Sequence, residues 1–169
     1  MPKSFSARPT TDFAKENLFN VVNNLIDLEG AVALDLFAGT GSISFELVSR
    51  GCDEVVAVEK NPAHAAFIRK VADELGTEVL QLVRGDVFRF LSSARPEQFD
   101  FIFADPPYAL AELPVIPSLV LEKDLLKEGG VFVMEHPKTF DFSSLPHFAQ
   151  HRVYGSVNFS IFVKENQAD

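Results

Sequence analysis

Leu34 Asp35 Leu36 Phe37 Ala38 Gly39 Thr40 Gly41 follows a short apolar run at 31–34 and leads into a helix-like stretch at 42–50 that Gly51 closes. Strand, glycine turn, helix is the opening of an open α/β sheet, and the turn after the first strand is where such sheets hold ligands. Eighteen residues beyond Gly41 a second apolar run, 55–58, ends in Glu59, where an acidic side chain can accept hydrogen bonds from both hydroxyls of a ribose. A dinucleotide fingerprint would continue with a third glycine, but Ser44 stands there. Asp35, placed in the loop ahead of the glycines, suits a cationic group and would repel a pyrophosphate. S-adenosylmethionine carries an ammonium and a sulfonium, so it is the expected cofactor in preference to NAD, with Asp35, Phe37, Gly39, Gly41 and Glu59 as candidate contacts. Alone, the glycines fit a simple tight turn as well as a cofactor loop, and Glu59 at the second strand end shifts the reading toward a cofactor.

Outward from this loop the same rhythm repeats. Asn61 and Pro62 give an N-cap followed by proline at the first helical position, and the helix runs to Leu75 with Gly76 behind it. Runs at 79–83, 99–104 and 130–134 are almost continuously apolar, as strands buried on both faces are, which predicts a parallel sheet covered by helices. At the end, 151–154 and 157–163 flank Gly155 and Ser156 and read as a closing antiparallel hairpin. Before the sheet, Thr11 or Asp12 is an N-cap for a helix with Phe13, Leu18, Phe19, Val22, Leu25 and Ile26 at roughly helical spacing, ended by Gly30. The expectation is one α/β Rossmann-like domain over 1–169, with the helical segment 1–29 packed on the sheet.

Two strand ends carry further chemistry. In Arg84 Gly85 Asp86 Val87, Asp86 can accept from an adenine amine while Val87 offers a backbone N–H, although an aspartate there also fits a helix cap. Ala104 Asp105 Pro106 Pro107 Tyr108 is the most informative stretch: two prolines stiffen the turn and remove backbone donors, so it presents acceptors only. An exocyclic amine conjugated to a base is planar and a poor nucleophile. It needs acceptors on both hydrogens to localise its lone pair, a pair that the Asp105 carboxylate and the Pro106 carbonyl can supply. Asp105 can then take the released proton, and Tyr108 can stack on a base drawn out of its helix.

With 169 residues, 47% hydrophobic and 23% charged, the chain has the composition of a globular domain able to bury one substantial core. No apolar run reaches membrane-spanning length and the start lacks a secretory apolar segment, so no membrane partner and a cytoplasmic address are expected. The lone Cys52 excludes an internal disulfide and suits a small buried residue. A net charge of −9 argues against a broad electrostatic grip on nucleic acid and leaves Lys3, Arg8, Lys15, Lys138 and Arg152 for local phosphate contacts. His147 and His151, with His136, lack a helix to bring them together as ligands; they are expected to be exposed, with no metal implied.

Together, the Arg8 Pro9 Thr10 Thr11 Asp12 opening, the glycine loop, Ser49 Arg50 Gly51, Val58 Glu59 Lys60 and Asp105 Pro106 Pro107 Tyr108 resemble the bacterial 16S ribosomal RNA guanine N2-methyltransferases. The resemblance runs from about Arg8 to the final hairpin, with the Arg8–Thr11 arrangement its most specific part. It implies the class I S-adenosylmethionine-dependent fold, a seven-stranded, mostly parallel sheet whose C-terminal hairpin inserts its last strand antiparallel. It implies N2-methylguanine as product, with ribosomal RNA in the small-subunit assembly particle as partner. Thr10, Thr11, Asp35, Gly39, Gly41, Glu59, Asp86 and Val87 would hold the cofactor. Asp105, Pro106 and Tyr108 would act on the base, with Pro107 and Arg8 as further substrate contacts. Members of that family usually carry a basic, strand-forming segment ahead of the position of Ser6, which this sequence lacks.

Other functions share parts of this pattern. An adenine N6-methylase needs the same two acceptors, and a glutamine methylase poses the same problem but carries Asn at the Asp105 position. A non-catalytic nucleotide-binding assembly module would keep the fold, yet the intact Asp105 and glycines argue against decay. No His, Tyr or Lys constellation for hydride chemistry stands out.

Overall fold

The computed structural model describes residues 11–165. The chain forms α1 (Asp12–Leu25), β1 (Val32–Leu36), α2 (Ser42–Ser49), β2 (Glu54–Glu59), α3 (Pro62–Leu75), β3 (Leu80–Arg84), α4 (Val87–Ser93) and β4 (Phe99–Ala104). A 3-10 turn (Leu113–Val115), α5 (Ile116–Glu122), β5 (Leu126–His136), β6 (Phe148–Tyr154) and β7 (Val157–Val163) follow. One seven-stranded sheet runs in the order β3-β2-β1-β4-β5-β7-β6. Strands β3 through β5 are parallel, and β7 enters antiparallel beside β5 with β6 outside it. The order reverses between β1 and β4, which opens a crevice at the carboxyl ends of those strands.

Burial explains which segments became strands. Phe99, Phe101, Ile102, Phe103, Val131, Phe132 and Val133 are each at most 1% exposed, because helices cover both faces of the central strands. On one face, α1 sets Ala14, Leu18, Phe19 and Val22 against Phe101, Phe103 and Val131. On that face too, Ile68 of α3 packs with Ala57 of β2. On the other face, Val87, Leu91, Ile116 and Val120 of α4 and α5 meet Leu34, Ile102 and Phe132.

Local signals set the ends of the elements. The Thr11 Oγ1 accepts from the Ala14 N–H to cap α1, and Asn61 Oδ1 accepts from the N–H groups of Ala63 and His64 to cap α3. Gly76 closes α3 at φ 67°, in the left-handed region where glycine carries no Cβ penalty. The structure also departs from the sequence pattern. β1 runs two residues past 34 and takes in Asp35, which lies in the parallel ladder between Ala57 and Phe103 and not in the loop. β5 extends from 126 to 136, and His136 is fully buried, not exposed: its Nε2 lies 2.7 Å from Ser160 Oγ on the partner strand and its Nδ1 2.8 Å from the Pro137 carbonyl. No helix among the described residues is long and apolar enough to cross a membrane.

Candidate active site

The crevice is a cavity of about 820 Å³ whose wall includes Asp35, Glu59, Asp86, Asp105, Tyr108 and Glu135. Strand register puts four of its acids on one side of the sheet. Asp35 pairs with Ala57 and with Phe103, and Phe103 with Val133. Side chains alternate along a strand. Two residues beyond Ala57, Phe103 and Val133 therefore stand Glu59, Asp105 and Glu135, aligned with Asp35 on the same face.

Each acid is held differently. Asp35 is 1% exposed and its Oδ2 accepts from the Ser44 hydroxyl at 2.7 Å. Burial pushes its carboxyl up to about 7, the Ser44 hydrogen bond opposes that, and nearby Glu59 adds to it. Glu59 accepts from the Gly39 N–H at 2.6 Å and the Asn61 N–H at 2.9 Å, so it fastens the glycine loop to the start of α3; His64 Nδ1 lies 3.7 Å from it. Asp86 caps α4 by accepting from the Arg89 N–H at 3.1 Å while also lining the cavity, so cap and site coincide. Asp105 continues the β4 ladder through its N–H to the Leu36 carbonyl at 3.4 Å. Tyr108, 40% exposed, donates its hydroxyl to Glu135 Oε2 at 2.9 Å.

The loop between β1 and α2 is built on left-handed residues. Gly39 has φ 60° and a side chain there would meet no atom within 4 Å. Phe37, at φ 61°, adopts a conformation costly for a residue with a Cβ; it lines the cavity and meets Phe88 edge-on with ring centres 6.5 Å apart. Gly41 has a different task. It precedes α2 at φ 90°, and a Cβ there would come 2.8 Å from the Phe45 ring, so it permits helix packing and is not part of the cavity wall.

The cavity thus gathers Asp35, Phe37, Gly39, Glu59, Asp86, Val87, Asp105, Pro106, Pro107 and Tyr108 from the candidates named by sequence. Thr11 serves as the α1 cap and is not on the wall, while Arg8 and Thr10 lie outside the described residues. Lys15 is tied to Ser42 Oγ at 3.2 Å and to Glu46 at 3.6 Å, bracing α1 against α2. Sequence reasoning missed Ser44 as the partner of Asp35, Phe88 and Glu135. Glu135 had a signal: it follows an apolar run at a strand's carboxyl end, as Glu59 does. Among the described residues no cluster of three or more His, Cys, Asp or Glu is placed to hold a metal ion.

An acidic crevice with largely apolar walls fits a ligand with cationic groups on a nucleoside. It is the wrong charge for a pyrophosphate. A family model described as Conserved hypothetical protein 95 matches residues 1–163. The Haemophilus influenzae protein named Ribosomal RNA small subunit methyltransferase D is 33% identical over 136 residues, 78% of this chain and 68% of that one. Its Escherichia coli K12 namesake is 26% identical over 172 residues, 100% of this chain and 85% of that one. Among solved structures, the Thermus thermophilus 16S rRNA N2 G1207 methyltransferase, in complex with AdoMet and guanosine, matches with a TM-score of 0.74 at 23% identity, covering 95% of this chain and 45% of that one. The shared architecture is the class I methyltransferase fold.

Proposed function

Because the chain belongs to the family described as Conserved hypothetical protein 95, we propose that it is an S-adenosylmethionine-dependent ribosomal RNA methyltransferase. Its target is the exocyclic N2 amine of a guanine in 16S ribosomal RNA. One observation carries this: a single cavity joins the acidic glycine-loop end, with Asp35 and Glu59, to the Asp105-Pro106-Pro107-Tyr108 loop. The names of the relatives support the RNA substrate.

Bound S-adenosylmethionine supplies an electrophilic methyl group. An ionised Asp35 and its acidic surroundings would balance the cofactor's positive charge, Glu59 would accept from the ribose hydroxyls, and Asp86 with the Val87 N–H would address the adenine. Phe37 and Phe88 give that ring an apolar wall. On the other side, the Asp105 carboxylate and Pro106 carbonyl accept the two amine hydrogens, which aims the nitrogen lone pair. As the C–N bond formed, the sulfonium's S–CH3 bond would break and its electron pair stay on the now neutral sulfur, and the nitrogen, an acidic ammonium, would pass its proton to Asp105. Tyr108 stacks on the base. The whole chain acts as one methyltransferase domain, in the cytoplasm, on the assembling small subunit. Its net charge of −9 makes local basic residues and the particle's own proteins the source of grip.

The test is transfer of labelled methyl from S-adenosylmethionine to small ribosomal subunits from cells lacking the enzyme, followed by nucleoside analysis. N2-methylguanine should appear. Asp105→Ala should retain cofactor binding and lose about 10²–10⁴-fold in transfer; equal loss of binding and transfer would overturn the assigned role.

A further inference from the structure

We propose that Glu135 reads the ring nitrogen beside the reactive amine and thereby selects guanine over the other amine-bearing bases, an inference that rests on the base-amine function above. Glu135 is the penultimate residue of β5 and only 1% exposed, yet it lines the cavity. β4 and β5 are in register at Ala104 and Met134, so Glu135 stands level with Asp105 on the neighbouring strand and on the same face. The Tyr108 hydroxyl, 2.9 Å from Oε2, fixes the orientation of this carboxylate and links it to the loop that carries Asp105. A carboxylate accepts several hydrogen bonds at once, so the bond from Tyr108 does not exclude a base.

The chemistry of the bases gives this second carboxylate its meaning. In guanine the C2 amine lies between N3, a bare lone pair, and N1–H, a donor, and it is the N1–H side that Glu135 would face. In adenine the C6 amine is flanked by N1, and in cytosine the C4 amine by N3, both bare lone pairs. With the amine held at Asp105 and Pro106, a carboxylate alongside Asp105 meets a donor in guanine and forms a charge-assisted hydrogen bond. In adenine or cytosine it meets a lone pair and repels it. Sites that demand a hydrogen-bond donor reject analogues lacking it far more strongly than sites that select by shape. Mere support of Tyr108 would not require an acid, since a glutamine oxygen can accept the same hydroxyl.

The probe is 2-aminopurine, which keeps the amine at C2 but carries a lone pair at N1. Small subunits are assembled from ligated 16S RNA with guanine or 2-aminopurine at the position the wild-type enzyme methylates. Wild type should prefer guanine by about a hundredfold or more. Glu135→Gln, whose amide can turn its N–H toward N1, should shrink that preference to below about tenfold while binding S-adenosylmethionine as wild type does. A purely structural role for Glu135 would slow both substrates equally and leave the ratio unchanged, which overturns this inference and spares the methyltransferase function. Wild-type methylation of adenine, or of no base, overturns both.

Discussion

Replacing Asp35 with asparagine separates what this carboxyl costs the fold from what it does for a ligand. The side chain is 1% exposed, and its pKa stands at about 7 against an ordinary 3.8, chiefly through burial. Between those two values the folded chain holds a proton that the unfolded chain releases, so the stability of the ligand-free protein falls as pH rises through that window. At 1.36 kcal/mol for each tenfold change in proton affinity, the full cost above pH 7 is roughly 4 kcal/mol. Asparagine keeps an acceptor for the Ser44 hydroxyl and cannot ionise. Urea unfolding of wild type and Asp35→Asn at pH 5 and pH 8 should show the variant more stable at both, its advantage growing by about 2–3 kcal/mol at the higher pH. Buried His136, whose pKa burial lowers, destabilises the fold on acidification, but equally in both proteins, so the difference isolates Asp35. The same variant should bind S-adenosylmethionine about tenfold or more weakly, having lost a charged partner. Parallel pH profiles for the two proteins would refute the reasoning, because they would mean that the carboxyl stays charged without a ligand.

Two further substitutions test the loop. Gly41→Ala forces a Cβ into a φ of 90° and 2.8 Å from Phe45, and should cost about 1–3 kcal/mol in urea unfolding; unchanged stability would show that the Phe45 ring yields freely. Glu59→Gln leaves one oxygen where two accept from the Gly39 and Asn61 N–H groups, at a cost of about 1–2 kcal/mol. Those two amides should exchange hydrogen faster in the variant, and unaltered protection would remove Glu59 as the fastener of the loop.

β4 is legible because a strand covered on both faces reads as a nearly continuous apolar run, and β7 because Gly155 and Ser156 mark the turn before it, so both are bounded to the residue. The short helices α4 and α5 were not: seven residues each, with Pro117 inside the second, they owe their form to Val87, Leu91, Ile116 and Val120 packing on the sheet, which local pattern cannot express. The acids of the cavity expose a sharper limit. Glu59 and Asp105 were found because glycine and proline motifs pointed at them. The sequence pattern places Asp35 in a loop, since a charge interrupts an apolar run, and the hydroxyl that accommodates it belongs to Ser44 on the next helix. Glu135 lies one residue past the apolar run that ends at Met134, so the pattern leaves it outside the strand that in fact continues to His136. Parity unites the four: counted in twos from register partners, they fall on one face of adjacent parallel strands. Assembling four carboxyl groups there is electrostatically costly, and the raised pKa of Asp35 records part of that cost. A core selected for stability alone would replace them with apolar residues. Their presence on one wall fits the proposed ligands, which would bring the missing positive charge and hydrogen-bond donors: a sulfonium and ammonium at the Asp35 end, and the amine edge of a base at the Asp105 and Glu135 end.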